Sequence, residues 1–174
     1  MASSIQLSLQ MQKGSKADGT LGYMTEEQYE QLVNSDFVEQ AGHRRIIGYA
    51  SNTSSHSIEI NYADSVQQEL TFCVPTHGAA PEKANEIATT DLALKALGVE
   101  PEIGAEVPLE FELRGKTYHY DMVLSGWWEA SNDSVSVATV SEQFIKENPD
   151  VVQNTYAVAV SYTHLRAHET LMNL

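Results

Sequence analysis

Strict alternation in the second half of the chain constrains the fold more than any other feature. Residues 106–113 read EVPLEFEL and residues 117–126 read TYHYDMVLSG, with apolar side chains at alternate positions. The segment RGK between them supplies a glycine for a tight turn. Because successive side chains of a strand point to opposite faces, each segment can bury one face and expose the other. The sequence therefore predicts an antiparallel hairpin with one face in a core.

Shorter stretches of alternation or apolar character predict further strands. Within residues 4–12, Ile5, Leu7, Leu9 and Met11 share one face. The other predicted strands lie within residues 37–50 and at residues 56–62, 70–74, 135–140 and 154–160. Residues 76–85, THGAAPEKAN, are predicted to be a loop because of their composition.

Capping patterns indicate three short helices. Thr25 with Gln28 three residues later matches a capping box, and Ser141 precedes a helix that stops before a proline. Between these, TTDLALKALG is capped by one of its threonines and closed by Gly98. We expect this middle helix to bury Leu92, Ala93, Ala96 and Leu97. Together these elements predict an α+β fold with a mixed, mainly antiparallel sheet of short strands and about three short helices.

The bulk composition excludes several functional classes. The chain has 174 residues and a formal net charge of −14, which disfavours binding to nucleic acid. Cys73 is the only cysteine, so no internal disulfide can form. The sequence contains no apolar run of eighteen residues that could span a membrane.

Motifs for common enzyme chemistry are also missing from the sequence. There is no P-loop, no G-x-S-x-G nucleophile elbow and no G-x-G-x-x-G dinucleotide motif. Cys73 and His77 are spaced so that a thiolate–imidazole pair is possible, although a buried cysteine beside a loop histidine is the favoured interpretation. We therefore assign no residue to catalysis, to cofactor binding or to metal binding.

Two charged groups have both a functional and a structural interpretation. The basic cluster His43-Arg44-Arg45 has the chemistry to bind a phosphate or carboxylate, but in so acidic a chain local salt bridges are favoured. Glu106, Glu110 and Glu112 share the solvent face of a hairpin strand. They have the chemistry for acid–base work or Ca²⁺ binding, but a solvated face that discourages aggregation is the favoured interpretation.

Trp127 and Trp128 are the candidate partner-binding residues. Adjacent residues of a strand point to opposite faces, so we expect one tryptophan to lie in the core and the other to be available to a partner or ligand. The sequons Asn52-Thr53-Ser54 and Asn132-Asp133-Ser134 match a glycosylation pattern, which is a weak signal.

The motif His164-Leu165-Arg166-Ala167-His168-Glu169 has the spacing of a helical zinc site. A zinc hydrolase that uses His164, His168 and Glu169 is accordingly one alternative. However, residues 160–170, VSYTHLRAHET, resemble a translated transposase-type sequencing adapter. That resemblance implies a native part at residues 1–159 and a non-native tail at residues 160–174, which we expect to be poorly ordered or loosely packed.

The stretch from Asn85 to Glu129 resembles the extracytoplasmic domain of MacB/FtsX-type ABC transporter permeases. In that family a Glu-Ile-Ala opens a short helix, a Leu-Gly closes it, a Gly-Asp precedes a hairpin and a Gly followed by an apolar residue ends it. The corresponding residues are Glu86-Ile87-Ala88, Leu97-Gly98, Gly104-Ala105 and Gly126-Trp127, with Ala105 in place of the aspartate. MTEEQYEQLVNSDFVEQAGHRRIIGYA, upstream, also resembles the family, so that the likeness extends over residues 4–159.

This resemblance implies a MacB-like periplasmic core domain that lies outside the membrane and carries no catalytic residues. It implies that the domain belongs between two transmembrane helices absent from this chain, and that those helices couple it to a cytoplasmic ABC ATPase. A second permease copy is a further implied partner. The alternative is a stand-alone extracellular module that binds a ligand or a protein.

Overall fold

The computed structural model of the chain describes residues 7–8, 16–53, 55–131 and 135–163. The described strands are β1 (Leu7–Ser8), β2 (Gly19–Met24), β3 (Val38–Tyr49), β4 (Ser57–Ala63), β5 (His77–Gly78), β6 (Glu86–Thr90), β7 (Glu106–Leu113), β8 (Lys116–Trp128), β9 (Val135–Val140) and β10 (Tyr156–Tyr162). The described helices are α1 (Glu26–Val33), α2 (Ser65–Leu70), α3 (Asp91–Leu97) and α4 (Glu142–Glu147), followed by a 3₁₀ turn at Pro149–Val151. Within these residues no helix is long and apolar enough to cross a membrane.

The chain divides into two compact units. Unit 1 comprises the described residues of Met1–Arg45, Ala63–Phe72 and Gln153–Leu174, and unit 2 comprises those of Ile46–Tyr62 and Cys73–Val152. In unit 1 the strands pair in the order β1–β2–β10–β3, and each pair is antiparallel. One cluster of its buried apolar residues consists of Leu21, Met24, Leu32, Val158 and Val160.

Helix α1 begins where the capping box predicts. The Thr25 hydroxyl accepts the N–H of Gln28 at 3.2 Å, and the Gln28 side chain accepts the N–H of Thr25 at 2.9 Å. This reciprocal pair satisfies two backbone donors that a helix start leaves without intrahelical partners. The predicted start of the helix is therefore confirmed.

The strand predicted at residues 70–74 is not formed, and that prediction was wrong: helix α2 ends at Leu70, and residues 71–74 form a turn and irregular structure. Asp64 caps the helix by accepting the N–H of Gln67 at 2.7 Å through Oδ1, while its Oδ2 accepts the N–H of His43 at 3.2 Å. Within the helix, Gln67 and Leu70 are buried. The Gln67 side chain accepts the N–H of Ala159 at 3.0 Å, which ties the helix to strand β10. The apolar run beyond Leu70 reflects the end of a helix rather than a strand.

Unit 2 contains a mixed sheet of short strands. Strand β4 pairs with β9 in parallel, β9 with β6 antiparallel, β6 with β8 in parallel, and β8 with both β7 and β5 antiparallel. Its core includes Ile58 and Ile60 of β4, Phe111 of β7, Leu124 of β8 and Phe144 of α4. The predicted hairpin is confirmed, with Glu106 opposite Val123 at one end and Leu113 opposite Lys116 at the turn.

The residues Glu86-Ile87-Ala88 open strand β6, not the helix that the family resemblance implied. Strand β6 lies between β8 and β9, and Ile87 and Ala88 are both buried. Helix α3 follows directly, with Thr90 accepting the N–H of Ala93 at 3.1 Å. It ends at Gly98, whose φ of 72° is left-handed, as predicted. Ala93 and Leu94 are its buried residues, so the predicted buried face missed Leu94.

Strand β10 continues into the segment that the sequence assigns to a non-native tail. Val160 is fully buried, and its carbonyl oxygen accepts the N–H of Asp18 at 2.8 Å. The N–H of Tyr162 donates to Asp18 Oδ2 at 2.8 Å, and burial raises the pKa of the Tyr162 phenol to about 12. The expectation of loose packing is therefore wrong for residues 160–162. The predicted boundary after residue 159 stays a prediction, and residues 164–174 lie outside the described part of the chain.

A pair of truncated chains measures what residues 160–163 contribute. A chain ending at Ala159 is expected to have a free energy of unfolding about 3 kcal/mol lower than that of a chain ending at Thr163. The shorter chain lacks a buried valine and several backbone hydrogen bonds. Urea unfolding followed by circular dichroism gives both values. Both chains lack residues 164–174, so the difference isolates the end of β10. Equal unfolding free energies would contradict the packing of Val160 and Tyr162.

Candidate functional site

The two tryptophans at the end of strand β8 differ in exposure. Trp128 is only 5% exposed, whereas Trp127 is partly exposed and packs on its inner side against the core of unit 2. The indole of Trp127 stacks on the exposed imidazole of His77, with ring centroids 3.8 Å apart and planes inclined by 8°. Partner binding by either tryptophan stays a prediction, and Trp127 is the more accessible of the two.

Backbone hydrogen bonds hold His77 against Trp127. The N–H of Thr76 donates to the carbonyl oxygen of Trp127 at 3.1 Å, and the N–H of Ala79 donates to that of Ser125 at 2.9 Å. These bonds flank strand β5, in which His77 is opposite Trp127. The imidazole and the indole are therefore brought together by strand pairing.

Two glycines let strand β5 approach β8 closely. Gly78 lies opposite Gly126. A Cβ on Gly126 would collide with the carbonyl oxygen of Ala79, and a Cβ on Gly78 would collide with that of Ser125. Gly78 also has a φ of 73°, a conformation that side chains disfavour. The close approach thus depends on the absence of side chains at both positions.

Ile103 extends the apolar surface beside this pair. A Cβ on Gly78 would lie 2.6 Å from Ile103 Cδ1, which places the isoleucine over strand β5. The turn that carries Ile103 is attached to β8, because the N–H of Gly104 donates to the Leu124 carbonyl oxygen at 2.8 Å. Ile103 is 54% exposed, and Val74, which precedes β5, is 43% exposed. We call Val74, His77, Ile103 and Trp127 the His77–Trp127 surface.

The other candidate residues have structural roles where the chain is described. His77 stacks on Trp127, and Cys73 is partly buried. In the basic cluster, His43 Nδ1 lies 2.8 Å from Asp64 Oδ2, and Arg45 donates to the Gln153 carbonyl oxygen at 3.1 Å. These local contacts agree with the structural interpretation of the cluster. The zinc-like residues His164, His168 and Glu169 lie outside the described residues, as do Ser54 and residues 132–134 of the sequons.

The acidic residues of the hairpin lie along a partly covered strand edge. The N–H of Ser51 donates to the Glu110 carbonyl oxygen at 2.8 Å, and the Asn52 side-chain amide donates to that of Pro108 at 2.8 Å. His119 lies between two carboxylates: its Nε2 is 2.9 Å from Asp121 Oδ1, and its Nδ1 is 3.9 Å from Glu110 Oε2. Across the described residues, no group of three or more His, Cys, Asp or Glu side chains is arranged to hold a metal ion.

A partly buried histidine–serine contact was not anticipated from the sequence. His56 Nε2 lies 2.7 Å from Ser136 Oγ, and the Thr90 hydroxyl donates to the same serine oxygen at 2.7 Å. Ser136 is only 1% exposed. Because the hydroxyl is enclosed between His56 and Thr90, it is placed to join strand β9 to the start of α3 rather than to attack a substrate.

The loop before strand β6 is closed by a carboxylate. Glu86 accepts the N–H groups of Glu82 and Lys83 at 2.8 and 2.9 Å. The bond from Lys83, followed by that from Glu82, lowers the pKa of the Glu86 carboxyl below its usual value. Ser141 donates to the Lys83 carbonyl oxygen at 2.8 Å, so the same loop is also attached to the start of α4.

Comparison with solved structures identifies the fold. The extracellular domain of the noncanonical ABC-type transporter YknZ from Gram-positive bacteria matches 87% of this chain and 88% of its own, with a TM-score of 0.60 and 16% identity. A permease protein domain from Porphyromonas gingivalis matches 86% of this chain and 67% of its own, with a TM-score of 0.56 and 10% identity. The periplasmic region of MacB from Actinobacillus actinomycetemcomitans matches 86% of this chain and 72% of its own, with a TM-score of 0.52 and 10% identity.

These likenesses confirm the predicted fold class. The chain has the α+β fold of the extracellular and periplasmic domains of MacB-like ABC transporter permeases. No protein-family profile matches the sequence, and no curated protein matches it.

Substitution of Gly126 tests how the His77–Trp127 surface is built. Gly126→Ala is expected to lower the unfolding free energy by about 2 kcal/mol, because the new methyl group forces strand β5 away from β8. The tryptophan emission spectrum of the protein should change as His77 leaves the ring of Trp127. Gly22→Ala is the matched control, since nothing lies within 4 Å of a Cβ at that position. A Gly126→Ala protein as stable as the control, with an unchanged spectrum, would contradict the proposed close approach.

Proposed function

We propose that this chain acts as a non-catalytic extracytoplasmic domain of an ABC transporter permease. The observation that carries the proposal is the likeness to the YknZ extracellular domain, which extends over 87% of this chain and 88% of that one. Because the match covers most of both chains, it reflects a likeness of the whole fold and not of a single shared motif. The proposed location is the extracellular or periplasmic side of the cell membrane.

The proposed role is to pass the motion of membrane helices to substrates or partners outside the membrane. A domain can transmit displacement only if its strands move together. In unit 2 the strands β4, β9, β6, β8 and β7 are joined edge to edge by continuous pairing. This pairing supports a rigid transmitting element rather than a site of bond chemistry.

The partners that follow from this role are outside the chain. A cytoplasmic ABC ATPase would supply the energy through transmembrane helices, and a second permease copy would complete the transporter. Trp127 is the proposed contact residue on the extracytoplasmic side, and Trp128 supports it from the core. The stacked pair of Trp127 and His77 supports this assignment because it presents a preformed aromatic surface.

A stand-alone extracellular binding module is the second candidate function. The His77–Trp127 surface favours it, since that surface needs no membrane helix to be assembled: both β5 and β8 lie in unit 2. In this alternative the surface binds a ligand or protein without any link to an ATPase.

The gene in its source genome separates the two candidates. The permease proposal predicts coding sequence for transmembrane helices in the same reading frame and a neighbouring ATPase gene. Long-read sequencing across the locus is the measurement. A complete gene with a secretion signal and no membrane helices would overturn the permease proposal and leave the binding module.

A further inference from the structure

The His77–Trp127 surface combines exposed apolar side chains with a fixed backbone. Ile103 is 54% exposed and Val74 is 43% exposed, and both lie in segments next to strand β5 or bonded to strand β8. Strand β5 is held by the bonds of Thr76 and Ala79 to β8, and the Ile103 turn by the bond of Gly104 to β8. A surface that is ordered before binding loses less conformational entropy when a partner binds than a mobile loop does.

Acidic side chains lie next to this surface along the chain. Glu100 and Glu102 precede Ile103 in the same turn, and Glu129 follows directly after strand β8. All three are exposed. Within the described part of the chain, no Lys, Arg or His side chain forms an ion pair with any of them. The chain segments that form the apolar centre therefore also carry exposed carboxylates that have no ion-pair partner among the described residues.

We infer that the His77–Trp127 surface binds a basic segment of a partner protein, which places an aliphatic or aromatic side chain against Ile103 and Trp127. Positive charge on the segment complements Glu102 and Glu129, and an apolar side chain covers the exposed centre. An anionic membrane surface or nucleic acid is repelled by the same carboxylates and by the net charge of −14. This inference rests on the proposed role in partner recognition and names the chemistry of the partner.

A synthetic peptide of four Lys-Leu-Ser repeats, labelled with a fluorophore, serves as the probe. Its fluorescence anisotropy is measured with the full chain, and a peptide of four Glu-Leu-Ser repeats serves as the charge-reversed control. The lysine peptide is expected to bind at least tenfold more tightly than the glutamate peptide. Its affinity should fall as salt is added, because screening weakens exposed charge pairs. Equal binding of the two peptides, or stronger binding of the chain to anionic phosphatidylglycerol vesicles, would overturn the inference.

Variants of exposed residues locate the binding without disturbing the core. Ile103→Ser and the double variant Glu102→Gln/Glu129→Gln are each expected to weaken lysine-peptide binding about five- to tenfold, through the loss of apolar contact and of charge complementarity. The matched control Glu112→Gln/Asp150→Asn makes the same change in net charge, with one substitution near the hairpin turn and one in the 3₁₀ turn. It should leave the affinity unchanged.

Equal weakening by both double variants would show that binding follows net charge alone and would overturn the site. Retained affinity in Ile103→Ser would also overturn it. The outcome is separate from the gene-context test, because peptide binding by the chain can fail while the locus still encodes a permease, and can succeed where it does not.

Discussion

Strand β8 is hydrogen-bonded along both edges near its end, and the rest of unit 2 depends on this pairing. The N–H of Val123 donates to the Asn85 carbonyl oxygen at 2.7 Å on one edge, and that of Leu124 donates to Ala105 at 2.9 Å on the other. Strand β6 continues the first edge, while the Ile103 turn and β5 continue the second. The same strand thus anchors the core through Leu124 and the surface through Trp127.

Local signals in the sequence predicted the hairpin and the helix ends. They did not predict which strands distant in the sequence pair with one another. Alternation marked β7 and β8, and the caps at Thr25 and Ser141 are formed by residues three positions away. Helix α2 was missed because six residues are too few for periodicity to show, and its cap is stabilised by His43, distant in sequence. The predicted site contained Trp127 but not its partner His77, since only strand pairing brings positions so far apart together.

Three buried polar side chains of unit 2 form a hydrogen-bonded chain: Asn61 donates to Glu59 at 2.8 Å, and Thr139 donates to Asn61 at 3.2 Å. Such groups stabilise the packing of the sheet and are closed to substrates. The surface of unit 2 instead exposes an aromatic pair and an isoleucine, and exposed carboxylates are next to them in the sequence. This arrangement supports the proposed role in partner recognition.

Amide hydrogen exchange tests most directly whether β8 holds the His77–Trp127 surface as a fixed part of unit 2. We expect the amides of Val123 and Leu124 to exchange slowly, and those of Thr76 and Ala79, which donate to β8, to be protected as well. Fast exchange at Thr76 and Ala79, with Val123 and Leu124 still protected, would contradict this expectation. The surface would then be a mobile loop over a stable sheet and not a preformed binding site.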